Sequence, residues 1–438
     1  MGGYTRTLLA FLLMPLSWVV AGEPVLVVVD KDGAAGRTGA PASMKIDLAE
    51  AFDGNVDVSH LRMVELSKSP SEPRLGNVAV QFIPDSEGST KGTLWWTMPP
   101  GNSGERRFLL KVDEQPASPG LETKIDHDLL AVDVSEGSAP VLRYNQGTVP
   151  PPAEIVEHFE KKKKPPFFYA RGDYIHPVYG PDGEELTDDY SMNHPHHRGI
   201  CWAWPVVCWK GESRDIWAVR VLPEEPGGIW ARPVSLDRVE AGPVMALVEA
   251  ENVWKWGDKE PVVQEFVKIC AFHARQNSRF IDVEVRLVAL VDDFSIGGRP
   301  GAGYGGFTFR TYPEFDQRKI DMHIDPANAE PRQAWFHLTG NFPGGKGAAG
   351  MVLMEHVSNP DYPTYPAPQN SDKIPGAYPR WRTVQPAWPG DRKVPLPKGE
   401  PLVLKHRLWI HPGLSNDKTL ADVWKTYAQP VSARLEIK

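Results

Sequence analysis

The sequence predicts a mostly β protein, and three observations support this. Turn-forming residues are frequent, because 39 glycines and 43 prolines occur among 438 residues, whereas an average protein has about 12% of the two together. Apolar and β-branched residues recur in runs of strand length. Convincing helical spacing appears mainly in Lys418–Tyr427, where apolar residues recur at steps of three and four.

Five segments have the length and composition of strands: Val25–Val29, Val78–Ile83, Phe108–Val112, Phe280–Leu290 and Leu402–His411. In the last of them, leucine and isoleucine occupy one face and charged residues the other. The apolar face contains Leu402, Leu404, Leu408 and Ile410, and the polar face contains Lys405, Arg407 and His411. This alternation predicts a half-buried antiparallel strand.

A stretch rich in proline, serine and glycine at Glu114–Glu122 predicts a boundary between two units. The first unit, residues 22–118, has the size and strand spacing of a small N-terminal β-sandwich. The second, residues 119–438, has no clear internal break and is expected to be a large antiparallel body of two sheets.

The amino terminus resembles a secretory signal peptide. Arg6 precedes an apolar run from Leu8 to Val20, and the small residues Ala21 and Gly22 follow. We expect residues 1–21 to be removed and the mature protein to be soluble and periplasmic or secreted, with a retained anchor as the alternative. No later stretch approaches the ~20 apolar residues needed to span a bilayer.

Composition narrows the classes of partner. The net charge of −8 argues against nucleic acid, because phosphate binding requires a basic face. Three cysteines are too few for a scaffold built from disulfides. We therefore expect no nucleic acid partner, and no membrane span after cleavage of the signal peptide; the clustered tryptophans described below favour a small-molecule or oligosaccharide ligand.

Four of the 13 histidines lie within residues 176–197, which makes this the first place to look for chemistry. The stretch contains Tyr174, His176, His194, His196, His197 and Arg198. Pro195 and Gly199 predict a rigid turn before the apolar run Ile200–Trp209. Three interpretations are open: a set of donors with one acid or base, a metal site whose spacing matches no standard pattern, or a structural polar turn.

Tryptophans gather after this turn, beginning with Trp202 and Trp204. Indole rings can serve as platforms for the C–H faces of sugars, although large cores also use them.

Further candidate residues lie downstream. Asp282 and Glu284 share a strand face, Tyr304, Gly305 and Gly306 precede Arg310, and Glu355 adjoins His356. These pieces are candidates for the far wall of a cleft. We find no nucleophile elbow, phosphate loop or dinucleotide fingerprint.

Several motifs resemble an exported bacterial family labelled PmoA-like or "methane oxygenase". They are Tyr174–Pro177, Pro181–Gly183, His194–Gly199, Leu142–Tyr144, Tyr304–Gly306 with Arg310, and Glu355–His356 with Ser358–Pro360. The resemblance covers roughly residues 125–430. It implies a β-supersandwich similar to the galactose mutarotase fold, with a sugar-binding face. A membrane copper oxygenase is excluded, because no segment after the signal peptide can span a membrane.

The leading hypothesis is an exported carbohydrate-active enzyme that uses histidine acid and base chemistry on a sugar or glycoside. The candidate catalytic residues are His176, His197 and Glu355, with Asp282 as another possible carboxylate. The candidate substrate-binding residues are Tyr174, His194, His196, Arg198, Trp202, Trp204, Arg310 and His356. No cofactor is required. The alternatives are a non-catalytic carbohydrate-binding protein and an enzyme with a divalent metal on His194, His196 and His176.

Overall fold

A computed structural model describes residues 24–52, 54, 56–67, 76–162, 170–192, 194–219, 221, 227–311, 321–324, 334–364, 377–378, 383–413 and 415–437. Its elements in chain order are β1 (Val25–Asp30), α1 (Ala34–Thr38), β2 (Pro41–Asp47), α2 (Leu48–Phe52), a 3₁₀ turn (Val58–His60), β3 (Leu61–Leu66), β4 (Gly76–Val78), β5 (Val80–Pro84), β6 (Lys91–Thr97), β7 (Gly104–Val112), β8 (Glu122–Asp126), β9 (Ala131–Glu136), β10 (Ala139–Asn145), α3 (Ala153–Lys161), β11 (Tyr174–Val178), β12 (Ile200–Ala203), β13 (Val206–Trp209), β14 (Glu212–Arg214), β15 (Ile229–Ala241), β16 (Met245–Trp256), β17 (Glu260–Phe272), β18 (Arg279–Ala289), β19 (Ser295–Gly297), β20 (Gly306–Arg310), β21 (Asp321–Ile324), β22 (Trp335–Asn341), β23 (Ala348–Glu355), β24 (Ala377–Tyr378), β25 (Thr383–Val384), β26 (Lys393–Pro395), β27 (Pro401–Pro412), α4 (Asp417–Ala428) and β28 (Ser432–Glu436).

Two antiparallel sheets of eight described strands form the main body. The site sheet has the order β24-β25-β20-β12-β11-β10-β9-β8, and the backing sheet has the order β15-β16-β17-β18-β27-β23-β22-β21. Alternate residues of each sheet point into a shared apolar core, as Val283 and Leu408 do from the backing sheet and Ile175 and Phe309 from the site sheet. A smaller sheet has the order β14-β13-β19-β26, and its strands occur in the chain between strands of the two large sheets.

The N-terminal unit consists of a five-stranded sheet, β28-β1-β7-β3-β4, and a three-stranded sheet, β2-β6-β5. Their buried side chains form one cluster with residues on the opposite face of the backing sheet, including Phe280 and Trp409. The backing sheet is therefore covered on both faces, by the site sheet on one and by the N-terminal unit on the other.

The mostly β, antiparallel prediction is confirmed, and the strand segments and the helix at Lys418–Tyr427 occur where the sequence predicted them. One assignment requires correction. The C-terminal residues were placed in the second unit, but β28 pairs with β1 in the N-terminal sheet, where Val27 lies opposite Arg434. The free edge of β1 explains this, because an unpaired strand edge has backbone groups available to another strand. The predicted signal peptide lies outside the described residues.

Candidate functional site

The predicted site lies on the outer face of the site sheet, turned away from the backing sheet. In β11, Ile175 points into the core, so Tyr174 and His176 project from the outer face. In β20, Phe309 points into the core and Arg310 follows on the outer face. Because β11, β12 and β20 are adjacent in the sheet, these side chains meet in one region, which we call the outer patch.

Residues 187–189 run beside the outer patch and supply its carboxylates. The backbone N–H of Asp188 donates to the carbonyl of Arg310 at 3.1 Å, and the N–H of Gly199 donates to the carbonyl of Asp188 at 2.9 Å. These bonds tie the segment to the ends of β12 and β20. Asp188 and Asp189 are thereby held beside the two arginines of the patch.

Arg198 is fully buried and is held by one carboxylate and two aromatic rings. Its Nε and Nη2 both donate to the carboxylate of Asp189, and Nη2 also donates to the hydroxyl of Tyr174 at 2.5 Å. The guanidinium carbon lies 4.4 Å from the ring centroid of Tyr174 and 3.6 Å from that of Tyr190. Nη1 has no hydrogen-bond acceptor among the described residues. Nε and Nη2 form the edge of the planar guanidinium that faces Asp189, so Nη1 points away from that carboxylate.

Arg310 makes a second pair of the same kind. Its Nε donates to Asp188 at 3.2 Å, its Nη2 donates to the Ser191 hydroxyl at 2.9 Å, and its Nη1 lies 3.4 Å from Nδ1 of His197. A guanidinium can only donate, so Nδ1 of His197 is the acceptor and the imidazole proton resides on Nε2. Arg310, together with the hydroxyl of Thr383 at 3.5 Å from Nδ1, therefore orients His197 and favours this tautomer.

The imidazole of His197 is buried, and its surroundings favour the neutral form. Burial, followed by the neighbouring His196, Arg310 and His194, holds the pKa of His197 well below its usual value. Its ring centroid lies 4.4 Å from that of His196 and 5.1 Å from that of His194. An imidazole that accepts from a guanidinium does not readily gain a second proton. The geometry thus favours His197 as a fixed donor through Nε2–H, whereas the sequence-based hypothesis gave it a proton-transfer role.

His176 lies at a more accessible edge of the patch. Its Nδ1 is 3.0 Å from the Thr187 hydroxyl oxygen, which also accepts from the N–H of Val178, and its Nε2 is 3.6 Å from a carboxyl oxygen of Glu185. The hydroxyl oxygen of Thr187 has two lone pairs, so it can accept from both the N–H of Val178 and Nδ1–H of His176, and this tautomer leaves Nε2 unprotonated beside Glu185. Burial lowers the pKa of His176 and, together with two nearby aspartates, raises the pKa of Glu185. A proton acceptor and a proton donor thus lie side by side.

The charges of the outer patch balance one another. Arg198 pairs with Asp189 and Arg310 with Asp188, while lowered pKa values favour neutral imidazoles at His176 and His197. A charged ligand would find no unpaired opposite charge among these groups. Ligand hydroxyls, which donate and accept, can use guanidinium, carboxylate and imidazole alike.

The described residues include no group of three or more histidine, cysteine, aspartate or glutamate side chains placed to hold a metal ion. The rings of His194 and His196 are near one another, with centroids 5.8 Å apart and an angle of 61° between their planes. This finding gives no support to the metal-dependent alternative.

Trp202 and Trp204 are core residues in this structure, which corrects their assignment as ligand platforms. Both are buried, and the Trp202 ring stacks on Phe307 with centroids 6.3 Å apart. The Nε1–H of Trp204 donates to the carbonyl of Trp388 at 2.9 Å. Strand alternation explains the correction, because Trp202 shares the inward face of β12 with Ile200.

Glu355 and His356 are also separated from the outer patch. Glu355 points between the two large sheets, opposite His406 on β27, and accepts from the N–H and hydroxyl of Thr364 at 2.9 and 2.7 Å. Burial raises its pKa to about 7. Phe307 faces the same interior, so the site sheet itself lies between Glu355 and Arg310. His356 lies on the other face of the backing sheet, near Asp282.

Sequence reasoning did not assign roles to Asp188, Asp189, Tyr190 or Glu185. The adjacent aspartates were visible in the sequence, but nothing in the linear pattern indicates that each binds a different arginine. No sequence pattern indicates a role for Tyr190, apart from its position next to the two aspartates. The intervening fold supplies these contacts, since Arg310 is 122 residues from Asp188.

The fold and the outer patch define an antiparallel β-sandwich protein with a buried histidine and arginine site on one sheet. Residues 131–425 match a family described as "Family of unknown function (DUF6807)", and the chain belongs to that family. The match includes every residue of the outer patch and ends before β28. A search of curated proteins finds no match. No helix in the described part of the chain is long and apolar enough to cross a membrane.

Proposed function

We propose that this protein is an exported carbohydrate-active enzyme that binds a neutral sugar or glycoside at the outer patch. The observation that carries the proposal is the pairing of two buried arginines with two adjacent aspartates around neutral imidazoles. A site without net charge but dense in fixed donors and acceptors suits a ligand with many hydroxyls. Its rigidity reduces the entropy lost on binding.

Within this proposal, His176 and Glu185 exchange protons with the substrate. The neutral imidazole accepts a proton from a substrate hydroxyl or C–H group, and the Glu185 carboxyl, with its raised pKa, donates one to the oxygen that becomes negative. Nε2–H of His197 donates to a substrate oxygen, while the two buried arginines hold Asp188, Asp189 and His197 in position. Tyr174 holds Arg198 in position.

The test is proton NMR in D₂O of the mature protein with a panel of neutral mono- and oligosaccharides. This readout detects new reducing ends, new olefinic protons and exchange at carbon, so the reaction type need not be known. We expect at least one sugar to be converted by the wild type, and conversion to fall at least 100-fold in His176→Gln. The matched control is His127→Gln, because His127 is an exposed histidine in the turn between β8 and β9.

A sugar that binds but is never converted would favour the second candidate, a non-catalytic carbohydrate-binding protein. That candidate uses the same balanced site and requires no proton transfer. Conversion by His176→Gln at the wild-type rate would contradict the assignment of His176. The absence of any binding across the panel would contradict both candidates.

A further inference from the structure

A second cleft lies between the N-terminal unit and the backing sheet. It has a volume of about 590 Å³, and its walls come from β2 and β6 on one side and from β17, β18 and β27 on the other, with the end of α4 closing it. Ligand sites commonly have about 300–1,000 Å³ and lie between units of a fold. The backing sheet and the apolar core beneath it separate this cleft from the outer patch.

The floor of the cleft is a row of alternating charges. Lys268, Glu284 and Lys405 are direct neighbours across β17, β18 and β27, as the register of the strands shows. Lys405 lies 3.3 Å from Glu284, and Lys268 lies 2.7 Å from Glu249. Each ammonium group thus has its own carboxylate.

A second pair of opposite charges lies two residues away on the same face of the same two strands. Asp282 accepts two bonds from Arg407, at 2.6 Å from Nε and 2.7 Å from Nη2. The guanidinium also lies 4.5 Å from the ring centroid of Tyr427 in α4, which keeps it in place. Glu249 pairs with Lys268 from outside the lining of the cleft, and with Glu249 counted the row has three cations and three carboxylates and therefore no excess of either charge.

The walls add aromatic area and one further donor. Trp95 of β6 is half-buried, and its ring packs on Phe272 with centroids 5.7 Å apart. Nδ1 of His356 accepts from the backbone N–H of Ser358 at 3.1 Å, so the ring proton resides on Nε2. His356 is thereby a lining residue with an Nε2–H donor.

We infer that this cleft is a second binding site, for a neutral saccharide whose ring packs on Trp95 while its hydroxyls bridge the paired charges of β18 and β27. A sugar ring has an apolar C–H face and an edge of hydroxyls that both donate and accept, which matches an aromatic wall over a balanced polar floor. An acidic saccharide is disfavoured, because each cation of the floor already has a carboxylate. The inference does not depend on catalysis at the outer patch.

Isothermal titration of the mature protein with cellohexaose, xylohexaose, mannohexaose and maltohexaose tests it, with hexagalacturonate as the acidic comparison. We expect at least one neutral hexasaccharide to bind. Trp95→Ala and Lys405→Met should each weaken that binding at least 10-fold. The matched control is Trp209→Ala, which removes a half-buried tryptophan on β13 and should not change it. Lys405→Met leaves the Trp95 wall of the cleft intact. It therefore tests the binding site even if Trp95→Ala fails to fold.

Three outcomes would overturn the inference: no neutral hexasaccharide binds, binding is unchanged in both Trp95→Ala and Lys405→Met, or hexagalacturonate binds more tightly than any neutral sugar. The two sites are distinguished by His197→Gln. Loss of binding in His197→Gln with full retention in Trp95→Ala would place the sugar at the outer patch. That result would support the function proposed above while rejecting the second site.

Discussion

The carboxyl groups of Asp173 and Glu265 lie beside one another between the two large sheets, joined through the amide of Asn252. The Nδ2 atom of Asn252 is 2.9 Å from Asp173 and 3.3 Å from Glu265, and the Tyr144 hydroxyl donates to Asp173 at 3.1 Å. Both carboxyl groups are buried. Burial, and then the charge of Glu265, raises the pKa of Asp173 well above its usual value. The pair therefore holds a proton that the unfolded chain would release.

This retained proton makes stability depend on pH. Because the pKa of Asp173 is higher in the folded protein than in the unfolded chain, its contribution is complete below about pH 4. The contribution is lost as the pH rises through the raised folded value, at up to about 1.4 kcal/mol per pH unit. We expect Asp173→Asn to remove this decline, since asparagine also tolerates the positive φ of 62° at this position.

Urea unfolding from pH 4 to 9 measures this effect as the difference between the wild type and Asp173→Asn, because the contributions of the histidines that both proteins share cancel in that difference. Asp128→Asn, which changes an exposed aspartate in the turn after β8, is the control and should follow the wild type. A wild-type curve parallel to that of Asp173→Asn would show that the pair holds no extra proton.

Removing the carboxylate of Asp189 should destabilise the protein strongly. Asp189→Asn leaves the buried guanidinium of Arg198 without its anionic partner, and such a change costs about 3–5 kcal/mol. The control is Glu105→Gln, which breaks the exposed pair with Arg434 and should cost no more than about 1 kcal/mol. Equal effects of the two changes on the free energy of unfolding would contradict the structural role of the Arg198 pair.

Gly199 should not tolerate a side chain. Its φ is +37°, and a Cβ atom would lie 2.1 Å from the carbonyl oxygen of Ile175, so the backbone itself would have to move. We expect Gly199→Ala to cost more than the ~1–3 kcal/mol typical of a strained residue alone. Gly183→Ala is the matched control, because Gly183 also has a positive φ but an added Cβ meets nothing within 4 Å. Thermal unfolding of the two variants measures the difference.

Trp202 should contribute to stability and not to ligand affinity. Its Nε1–H donates to Glu265 at 3.0 Å, so Trp202→Phe leaves a buried carboxyl with one donor fewer. We expect a loss of about 1–3 kcal/mol, compared with less than about 1 kcal/mol for Trp209→Phe at a half-buried position. A Trp202→Phe protein of wild-type stability but reduced sugar affinity would restore the platform interpretation.

Much of the fold was predictable from the sequence, because strand periodicity and turn residues are local properties. The alternation in Leu402–His411 correctly separated the core-facing leucines from Lys405 and Arg407. The clustering of Tyr174, His176 and Arg198 also followed from the sequence, since a strand and a nearby turn bring close residues together. Trp202 shows the limit, because composition alone does not distinguish an indole on a cleft wall from one in a core.

Local sequence patterns predict the fold class, the positions of the main strands and the histidine-rich segment, because all of these depend on neighbours a few residues apart. The folded chain is needed to see that Arg310 contacts Asp188, that Glu355 lies on the opposite side of the site sheet, and that β28 completes the N-terminal sheet. Sheet order and register bring together residues more than a hundred positions apart. No local pattern of residues specifies which distant strand will pair with which.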